Sequence, residues 1–379
     1  MMESGIRNTT RLAVLVAALL FALVPAAKAS DFYGQTNLVA DQSGANHTDA
    51  QLVNAWGIVM TPTSPIWISD NGSGFSTVYD GNGVAVGAPL VVQVPAPPTA
   101  PAGTNAKPTG VVANPGTTGF NVTGAVSGVT ASSRFIFATE DGVIAGWAPT
   151  ADATHAIIGK DNSGSGAIYK GLAIGANGTG AVLYATDFHN GKVDVFDAAF
   201  AAATLAPGAF TDPAIPPGYA PFGIQAINGN IYVTYARQDA DREDDVPGNG
   251  NGYVDVYDPD GNLIDRVASK GKLNSPWGLA LAPAGFGKFA NMLLVGNFGD
   301  GAINAFDIAT GKSKGQLKGA DHRALKIGGL WGLAFGNGFN NAPVNTLFFT
   351  AGPGGEEHGL FGRLDVLPGT ALDGTGDDI

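Results

Sequence analysis

The stretch Asp187-Phe-His-Asn-Gly191-Lys-Val-Asp-Val-Phe-Asp197 decides the fold, because its pattern recurs along the chain. It places polar turn residues before a glycine, and then an alternating strand that ends at an aspartate six residues after that glycine. Four further pairs have the same spacing: Gly74/Asp80, Gly252/Asp258, Gly301/Asp307 and Gly359/Asp365. A glycine turn followed by an alternating strand is typical of a β-hairpin. We therefore predict repeated strand–turn–strand units.

Six units can be aligned, and each begins with a strand in which a glycine precedes an apolar residue. These glycines lie 52 to 61 residues apart: Gly57, Gly110, Gly171, Gly223, Gly278 and Gly332. A second apolar strand, the turn and a third strand follow in each unit, and a fourth strand follows in all but the sixth. Four short strands repeated at this interval are typical of the blades of a β-propeller. We therefore predict an all-β fold, a six-bladed β-propeller of four-stranded blades.

The sixth unit stops after its third strand, near Leu367, whereas residues 33–40 form an apolar stretch that precedes the first unit. We predict that this N-terminal strand pairs with the last blade and closes the ring, because closure removes an exposed sheet edge. The propeller would span residues 30–368. The acidic, glycine-rich residues 369–379 are expected to be a disordered tail.

The first 29 residues have the pattern of a signal peptide. Arg7 and Arg11 precede an apolar run from Leu12 to Val24, and Ala27-Lys28-Ala29 supplies small residues for cleavage. We expect cleavage after Ala29 and a secreted or periplasmic protein. The chain has no cysteine, which excludes disulfides and thiolate metal sites.

Composition narrows the class of partner. The formal net charge of -12 argues against nucleic acid, because phosphate binding needs clustered Lys and Arg. The same charge permits cations or basic partners. No second long apolar run follows the N-terminal one, so we expect no membrane span in the mature chain. We expect a monomer that binds an unknown small molecule, a cation or a protein.

Residues just before the repeated glycines are predicted to gather on one face of the ring. In a propeller the first strand lines the central channel, so its start lies on the same face as the turns between strands two and three. Large side chains at these positions are candidates for binding a ligand at the channel mouth: Trp56, Lys170, Phe222, Trp277 and Trp331. Packing of the aromatic rings between neighbouring blades is the alternative.

An acidic insertion interrupts the fourth unit, where the segment from Tyr235 to Gly252 is about 13 residues longer than its counterparts. Its candidate metal ligands are Asp239, Asp241, Glu243 and Asp245. Ca²⁺ takes several carboxylate and carbonyl oxygens, which this spacing offers. The loop lacks the glycine that an EF-hand has at its sixth position, where Asp244 stands. A solvated acidic loop is the alternative.

Polar residues of the turns allow two interpretations. Asp70, Asp187 and Asn297 suit turns in which the side chain caps its own turn, and oxygen ligation of Ca²⁺ is the alternative. The five histidines show no two-histidine metal spacing, and no Gly-x-Ser-x-Gly motif is present. No catalytic residue can be assigned from these patterns.

Several motifs resemble a family of secreted bacterial proteins of unknown function, some of which carry a C-terminal PEP-CTERM sorting tail. The motifs are Trp56-Gly-Ile, Tyr169-Lys-Gly-Leu-Ala, the stretch from Tyr184 to Asp197, Gln238-Asp-Ala-Asp-Arg-Glu-Asp-Asp245 and Val295-Gly-Asn-Phe-Gly-Asp-Gly301. This chain shows no Pro-Glu-Pro after Leu367. The family is more distantly similar to NHL-type and lactonase-type six-bladed propellers. The resemblance implies the propeller fold and supplies no catalytic residue.

Two functions follow as hypotheses. The first is a binding or scaffold protein that works through the face carrying Lys170 and the acidic insertion. The alternative is a Ca²⁺-dependent hydrolase of lactonase-propeller type, which would need carboxylates pointing into the channel. A lyase that uses a channel histidine and a metal is a third hypothesis, with His189 as its candidate.

Overall fold

A computed structural model describes residues 32–368, together with Met1. The described chain folds into six antiparallel sheets that follow one another in sequence. They form the six blades of a β-propeller, which confirms the predicted fold class. Apart from Met1, the predicted signal peptide lies outside the described residues, and so does the tail 369–379.

The blades are numbered in chain order, and their strands are given from the channel outward. The strands of blade 1 are Ala55–Val59, Ile66–Asp70, Phe75–Tyr79 and Val91–Gln93. Those of blade 2 are Pro108–Ala113, Phe135–Thr139, Val143–Trp147 and Ile157–Asp161. Those of blade 3 are Tyr169–Asn177, Gly180–Asp187 and Lys192–Phe196.

The second half of the ring repeats the pattern. The strands of blade 4 are Tyr219–Ile227, Asn230–Arg237, Tyr253–Tyr257 and Leu263–Ser269. Those of blade 5 are Pro276–Leu281, Met292–Asn297, Ile303–Asp307 and Ser313–Gln316. Those of blade 6 are Leu330–Phe335, Leu347–Ala351, Leu360–Val366 and, outermost, Tyr33–Ala40. Two short 3₁₀ turns occur at Ser163–Ser165 and Gly287–Phe289.

The N-terminal strand closes the ring as predicted. Tyr33–Ala40 pairs antiparallel with Leu360–Val366, with Tyr33 opposite Val366. The Tyr33 hydroxyl donates a hydrogen bond of 3.2 Å to the main-chain carbonyl of Phe286 in the neighbouring blade. A short strand, His47–Thr48, adds to the outer edge of this sheet. Both ends of the propeller are thus held in one blade.

Blade 3 departs from the predicted four strands, because its outer strand is missing. After the turn at Asp197 the chain makes only one bridge back, between Phe196 and Ala202. Four prolines then follow before residue 218: Pro207, Pro213, Pro216 and Pro217. Proline lacks the main-chain N–H and has a fixed φ, so a segment with four prolines is poorly suited to a regular outer strand, although single prolines are tolerated at a sheet edge. Blade 2 gains an extra hairpin that was not predicted, Asn121–Thr123 with Thr130–Ser132.

The repeated glycines let neighbouring inner strands approach closely. A Cβ on Gly223 would lie 2.1 Å from the carbonyl oxygen of Trp277, which precedes the glycine of the next blade. A Cβ on Gly278 would lie 2.4 Å from the carbonyl oxygen of Trp331. Any side chain at these positions would push the blades apart, which is the physical reason for the repeated glycine.

Apolar side chains fill the spaces between blades. Six of the apolar clusters each lie between two neighbouring blades, including one that joins blade 6 to blade 1. A seventh cluster lies at one end of the channel and is built mainly of aromatic rings. Among the described residues, no helix has the length and apolar character needed to cross a membrane.

Candidate functional site

Aromatic rings close one end of the channel. The residues just before the glycines of blades 1, 4, 5 and 6 are Trp56, Phe222, Trp277 and Trp331, and we call these four the aromatic plug. Trp56 stacks on Trp331 with ring centroids 3.5 Å apart, and Trp277 meets both rings edge to face. All four side chains are buried, and Trp277 is the most exposed at 9%. The rings therefore contact one another, and their binding of a ligand stays a prediction.

Lys170 occupies the same position in blade 3 but carries a charge into this apolar setting. The residue is only 2% exposed, and its Nζ lies 5.4 Å from the centroid of the Trp56 ring. Nζ donates hydrogen bonds of 2.5 Å to Glu140 and 2.9 Å to Asp244. Burial acts to lower the pKa of Lys170, but the two carboxylates outweigh it and raise the pKa. Lys170 is therefore a buried, permanently charged ammonium group.

The carboxylates around Lys170 come from three different blades. We define the acidic cluster as Glu140 from blade 2, Asp244 and Asp245 from the blade 4 insertion, and Glu356 from blade 6. Burial raises the pKa of Asp245 to about 6, and burial also raises the pKa of Glu356. The charges of Glu140 and Asp244 act on Glu356 in the same direction. Lys170 thus binds two of the four carboxylates, and its charge also acts on Asp245 and Glu356, so the carboxylates of the cluster outnumber its buried lysine.

Two asparagines connect the acidic cluster to the aromatic plug. Asn54 Nδ2 donates a 2.8 Å hydrogen bond to Glu356, and Asn71 Nδ2 donates a 2.9 Å bond to Glu140. The Asn54 amide oxygen in turn accepts a hydrogen bond of 3.2 Å from the indole of Trp331. Sequence reasoning missed both asparagines, since nothing in their local pattern marks them. Their role depends on contacts that span up to 302 residues of chain.

The site is open to solvent on the side of the insertion. A cleft of about 230 Å³ is lined by Lys107, Glu140, Asp141, Ile168, Lys170, Glu243 and Asp244. The Asp244 side chain is 75% exposed even though it binds the buried lysine. The insertion thus reaches from blade 4 over the start of blade 3 and forms one wall of the cleft.

The predicted metal ligands of the insertion are not brought together. An oxygen of Asp239 accepts a hydrogen bond of 3.0 Å from the main-chain N–H of Glu243. Asp241 and Glu243 are exposed, whereas Asp245 is largely buried and its Oδ2 has no hydrogen-bond partner among the described residues. Across residues 32–368, no three His, Asp or Glu side chains are grouped so that they could hold a metal ion.

The polar turn residues differ in what they do. Asp187 accepts hydrogen bonds of 3.2 Å from the N–H groups of Asn190 and Ile168, so it caps its own turn. Asn297 ties its turn to the segment before its blade through bonds to Asn274 and Lys272. Asp70 is fully buried, and neither of its carboxyl oxygens has a hydrogen-bond partner in the described structure. The same turn position therefore serves as a cap in one blade and holds an unpaired acid in another.

The channel itself is lined mainly by glycine and apolar residues, together with the polar side chain of Gln225. Its narrow part holds a cavity of about 30 Å³, which Gly57, Val111, Leu172 and Trp277 help to line. No described residue lining this cavity is a carboxylate, so a calcium-dependent hydrolase would find none of its expected ligands there. His189 does not line the cavity either. Its ring Nδ1 is buried and has no hydrogen-bond partner among the described residues.

Comparison with solved structures gives matches at low similarity. A protein of unknown function from Bacteroides thetaiotaomicron is 11% identical, with a TM-score of 0.49 over 89% of this chain and 73% of that chain. A streptogramin B lyase is 11% identical, with a TM-score of 0.41 over 89% and 98% of the two chains. A gluconolactonase from Xanthomonas campestris is 14% identical, with a TM-score of 0.34 over 69% and 90%. At these scores the similarities carry no argument about activity.

Comparison with known sequences identifies relatives. No family model matches the chain. The uncharacterized protein R648 of Acanthamoeba polyphaga mimivirus is 33% identical over 328 residues, which cover 84% of this chain and 76% of R648. The uncharacterized protein L690 of the same virus is 31% identical over 329 residues, which cover 84% of this chain and 82% of L690. The matching relatives are thus viral, which corrects the bacterial family that the motif resemblance implied. The chain belongs to the family of uncharacterized β-propeller proteins that includes mimivirus R648 and L690.

Proposed function

We propose that this protein is a secreted or periplasmic binding protein whose acidic cluster takes a ligand that carries an ammonium or guanidinium group. One observation carries the proposal: a single buried lysine, Lys170, faces four carboxylates contributed by three blades. A second positive group would balance the remaining negative charge.

The electrostatics favour a cationic ligand over an anionic one. The raised pKa of Asp245 and of Glu356 means that their charged forms are unfavourable in the empty site. A cation placed near them would stabilise those charged forms. Apart from the exposed Lys107, an anion would find only Lys170, for which it would have to compete with Glu140 and Asp244 at the cost of leaving buried charge unpaired.

The geometry favours an organic cation over a bare metal ion. The carboxylates of the insertion are spread along the loop, and no group of three acidic or histidine side chains converges within the described residues. Ammonium and guanidinium groups need only one or two directed carboxylates each, which Asp244 and its neighbours offer. Calcium at Asp239, Asp241, Glu243 and Asp245 has less support on this ground.

The alternative, a calcium-dependent hydrolase with its metal in the channel, also has less support. Among the described residues, none that lines the narrow channel is a carboxylate. The acidic groups instead lie at the end that the aromatic plug closes.

The proposal that the protein is exported rests on the sequence of residues 1–29. N-terminal sequencing of the expressed mature protein tests it by locating the first residue.

Calorimetric titration with spermidine, with a tri-arginine peptide and with CaCl₂ tests the proposed ligand class. We expect the two organic cations to bind and a tri-glutamate peptide not to bind. Asp244→Asn combined with Glu356→Gln should weaken the binding by about tenfold or more, since two charged contacts are lost. Asp260→Asn, in the exposed outer hairpin of blade 4, is the matched control and should change nothing. Equal affinity in the double variant, or binding of calcium alone, would overturn the proposal.

A further inference from the structure

The channel opens at the face opposite the aromatic plug. The inner strands begin at the plug and end at this second face, with Val59 in blade 1 and Phe335 in blade 6 as examples. Two cavities of about 380 Å³ and about 290 Å³ lie here, and both are lined by Ile58, Met60 and Gln225. They are therefore two parts of one opening, which we call the lower funnel.

The lower funnel ends blindly inside the molecule. The narrow channel cavity of about 30 Å³ shares Ile58, Gln225 and Leu279 with the larger cavity and reaches as far as Trp277. Beyond Trp277 lie the buried rings of the plug. A molecule that enters from the lower face thus cannot pass through to the acidic cluster. The two faces of the ring are separate environments.

The lining of the lower funnel is uncharged. None of the described residues around its three cavities is Asp, Glu, Lys, Arg or His, although the chain has 52 acidic and basic residues. Aliphatic side chains from all six blades make up most of the wall, for example Val112, Ile174 and Leu281. Such a wall disfavours any ligand that would have to bury a charge, because no side chain could pair with it.

Polar side chains are few: besides Gln225, Asn228 lines the larger cavity and Thr61 the smaller one, and main-chain groups add to them. Gln225 is exposed and contributes to all three cavities. Each inner strand has a neighbouring strand on one side only, so its other edge faces the channel. Unpaired main-chain N–H and C=O groups along that edge are available to a ligand. The wall thus combines aliphatic side chains with exposed main-chain polar groups, and a concave site of this size with a few directed polar groups is typical of small-molecule sites.

We propose that the lower funnel binds a small, uncharged, mainly apolar molecule, oriented by the Gln225 amide and by main-chain groups of the inner strands. The absence of charged side chains in the lining selects neutral molecules. The blind end limits their length.

Octan-1-ol and octanoate are the probes for this proposal, since they differ in charge but share one alkyl chain. Octanoate is chosen as the charged probe because it is an anion. The acidic cluster on the opposite face repels it and so does not bind it. By calorimetry or saturation-transfer NMR, we expect the protein to bind octan-1-ol at least about tenfold more tightly than octanoate. No detectable octan-1-ol binding, or equal affinity for the two probes, would overturn the proposal.

Two substitutions locate the binding. Gln225→Lys should weaken octan-1-ol binding by about fivefold or more and strengthen octanoate binding by a similar factor, because it places a positive charge in the funnel. Gln93→Lys makes the same change at an exposed site on the outer strand of blade 1 and should alter neither affinity. An identical response of the two variants, or no change in Gln225→Lys, would show that the probes bind elsewhere and would refute the site.

Discussion

The indole N–H of Trp277 donates a hydrogen bond of 2.9 Å to the main-chain carbonyl of Lys170. The two residues lie in blades 5 and 3, and the bond crosses the end of the channel. It connects the aromatic plug to the residue that anchors the acidic cluster. Because the bond is buried, losing the donor would leave the carbonyl oxygen without a partner in an apolar setting.

Trp277→Phe should therefore destabilise the protein by more than the loss of ring volume alone. Trp56→Phe is the matched comparison, since the Trp56 Nε1 is buried without a hydrogen-bond partner among the described residues. We expect the free energy of unfolding to fall by about 1–3 kcal/mol more in Trp277→Phe than in Trp56→Phe. Urea unfolding followed by circular dichroism measures both. Equal losses would mean that the bond to Lys170 contributes nothing.

Lys170→Met should be one of the most destabilising single substitutions in the chain. It leaves the carboxylate of Glu140 partly buried without its ion-pair partner, which typically costs about 3–5 kcal/mol. The double variant Lys170→Met with Glu140→Gln removes the orphaned charge and should recover part of that loss. Urea unfolding at pH 7 tests this, and a double variant that is less stable than Lys170→Met would contradict it.

Cation binding at the acidic cluster should weaken below pH 6. The pKa of Asp245 is raised to about 6 by burial, so the carboxyl becomes neutral as the pH falls through that value and its attraction for a cation is lost. We expect the Kd for spermidine to rise roughly tenfold between pH 7 and pH 5. Asp245→Asn should flatten this profile between pH 7 and pH 5 and weaken binding at pH 7. A constant Kd from pH 5 to pH 8 would exclude Asp245 from the site.

Much of the fold could be predicted because each repeat unit can be recognised from its own local sequence. Each repeated glycine marks a close approach between inner strands, as the distance from Gly278 to Trp331 shows. The closing strand at residues 33–40 followed from counting strands in the last unit. The repeat does not reveal the missing outer strand of blade 3, because the four prolines between residues 206 and 218 lie outside the residues that recur from unit to unit.

The contacts within the acidic cluster and the aromatic plug could be predicted less well from the sequence. The pattern placed Lys170 and the insertion on one face, but it could not say that Asp244 would be the lysine's partner. That choice depends on how the insertion folds back over blade 3. Nor could it show that Trp56 and Trp331 stack, because ring packing depends on six blades converging at once. The roles of Asn54 and Asn71 can be recognised only when contacts between residues distant in sequence are known.

Asp70→Asn should stabilise the protein at high pH. Asp70 is fully buried, and burial raises its pKa well above the usual value, so the folded state holds a proton that the unfolded state releases. The stability that Asp70 contributes is therefore fully present below about pH 4 and is lost as the pH rises through the folded-state pKa. We expect Asp70→Asn to raise the free energy of unfolding by about 1 kcal/mol or more at pH 8.

Asp258→Asn provides a control of opposite sign for this pH dependence. The pKa of Asp258 is lowered by hydrogen bonds from Asn262 and neighbouring N–H groups, even though burial acts in the other direction. Its contribution is therefore present at neutral pH and is lost as the pH falls through the lowered pKa. Thermal unfolding from pH 2 to pH 9 compares both variants with the parent, since the Asp258 contribution is lost only below about pH 4. A parallel pH profile for Asp70→Asn and the parent would show that Asp70 is not the titrating group.

Gly223→Ala tests whether the close approach of inner strands sets the geometry of the ring. The added Cβ would meet the carbonyl oxygen of Trp277 at 2.1 Å, so blades 4 and 5 would have to separate. Overpacking of this kind costs about 1–3 kcal/mol or more, and it should also disturb the bond from Trp277 to Lys170. Gly178→Ala is the control, because a Cβ there meets nothing within 4 Å. Urea unfolding should show a change within about 0.5 kcal/mol for the control, and comparable stability of the two variants would mean that the inner strands can move apart without cost.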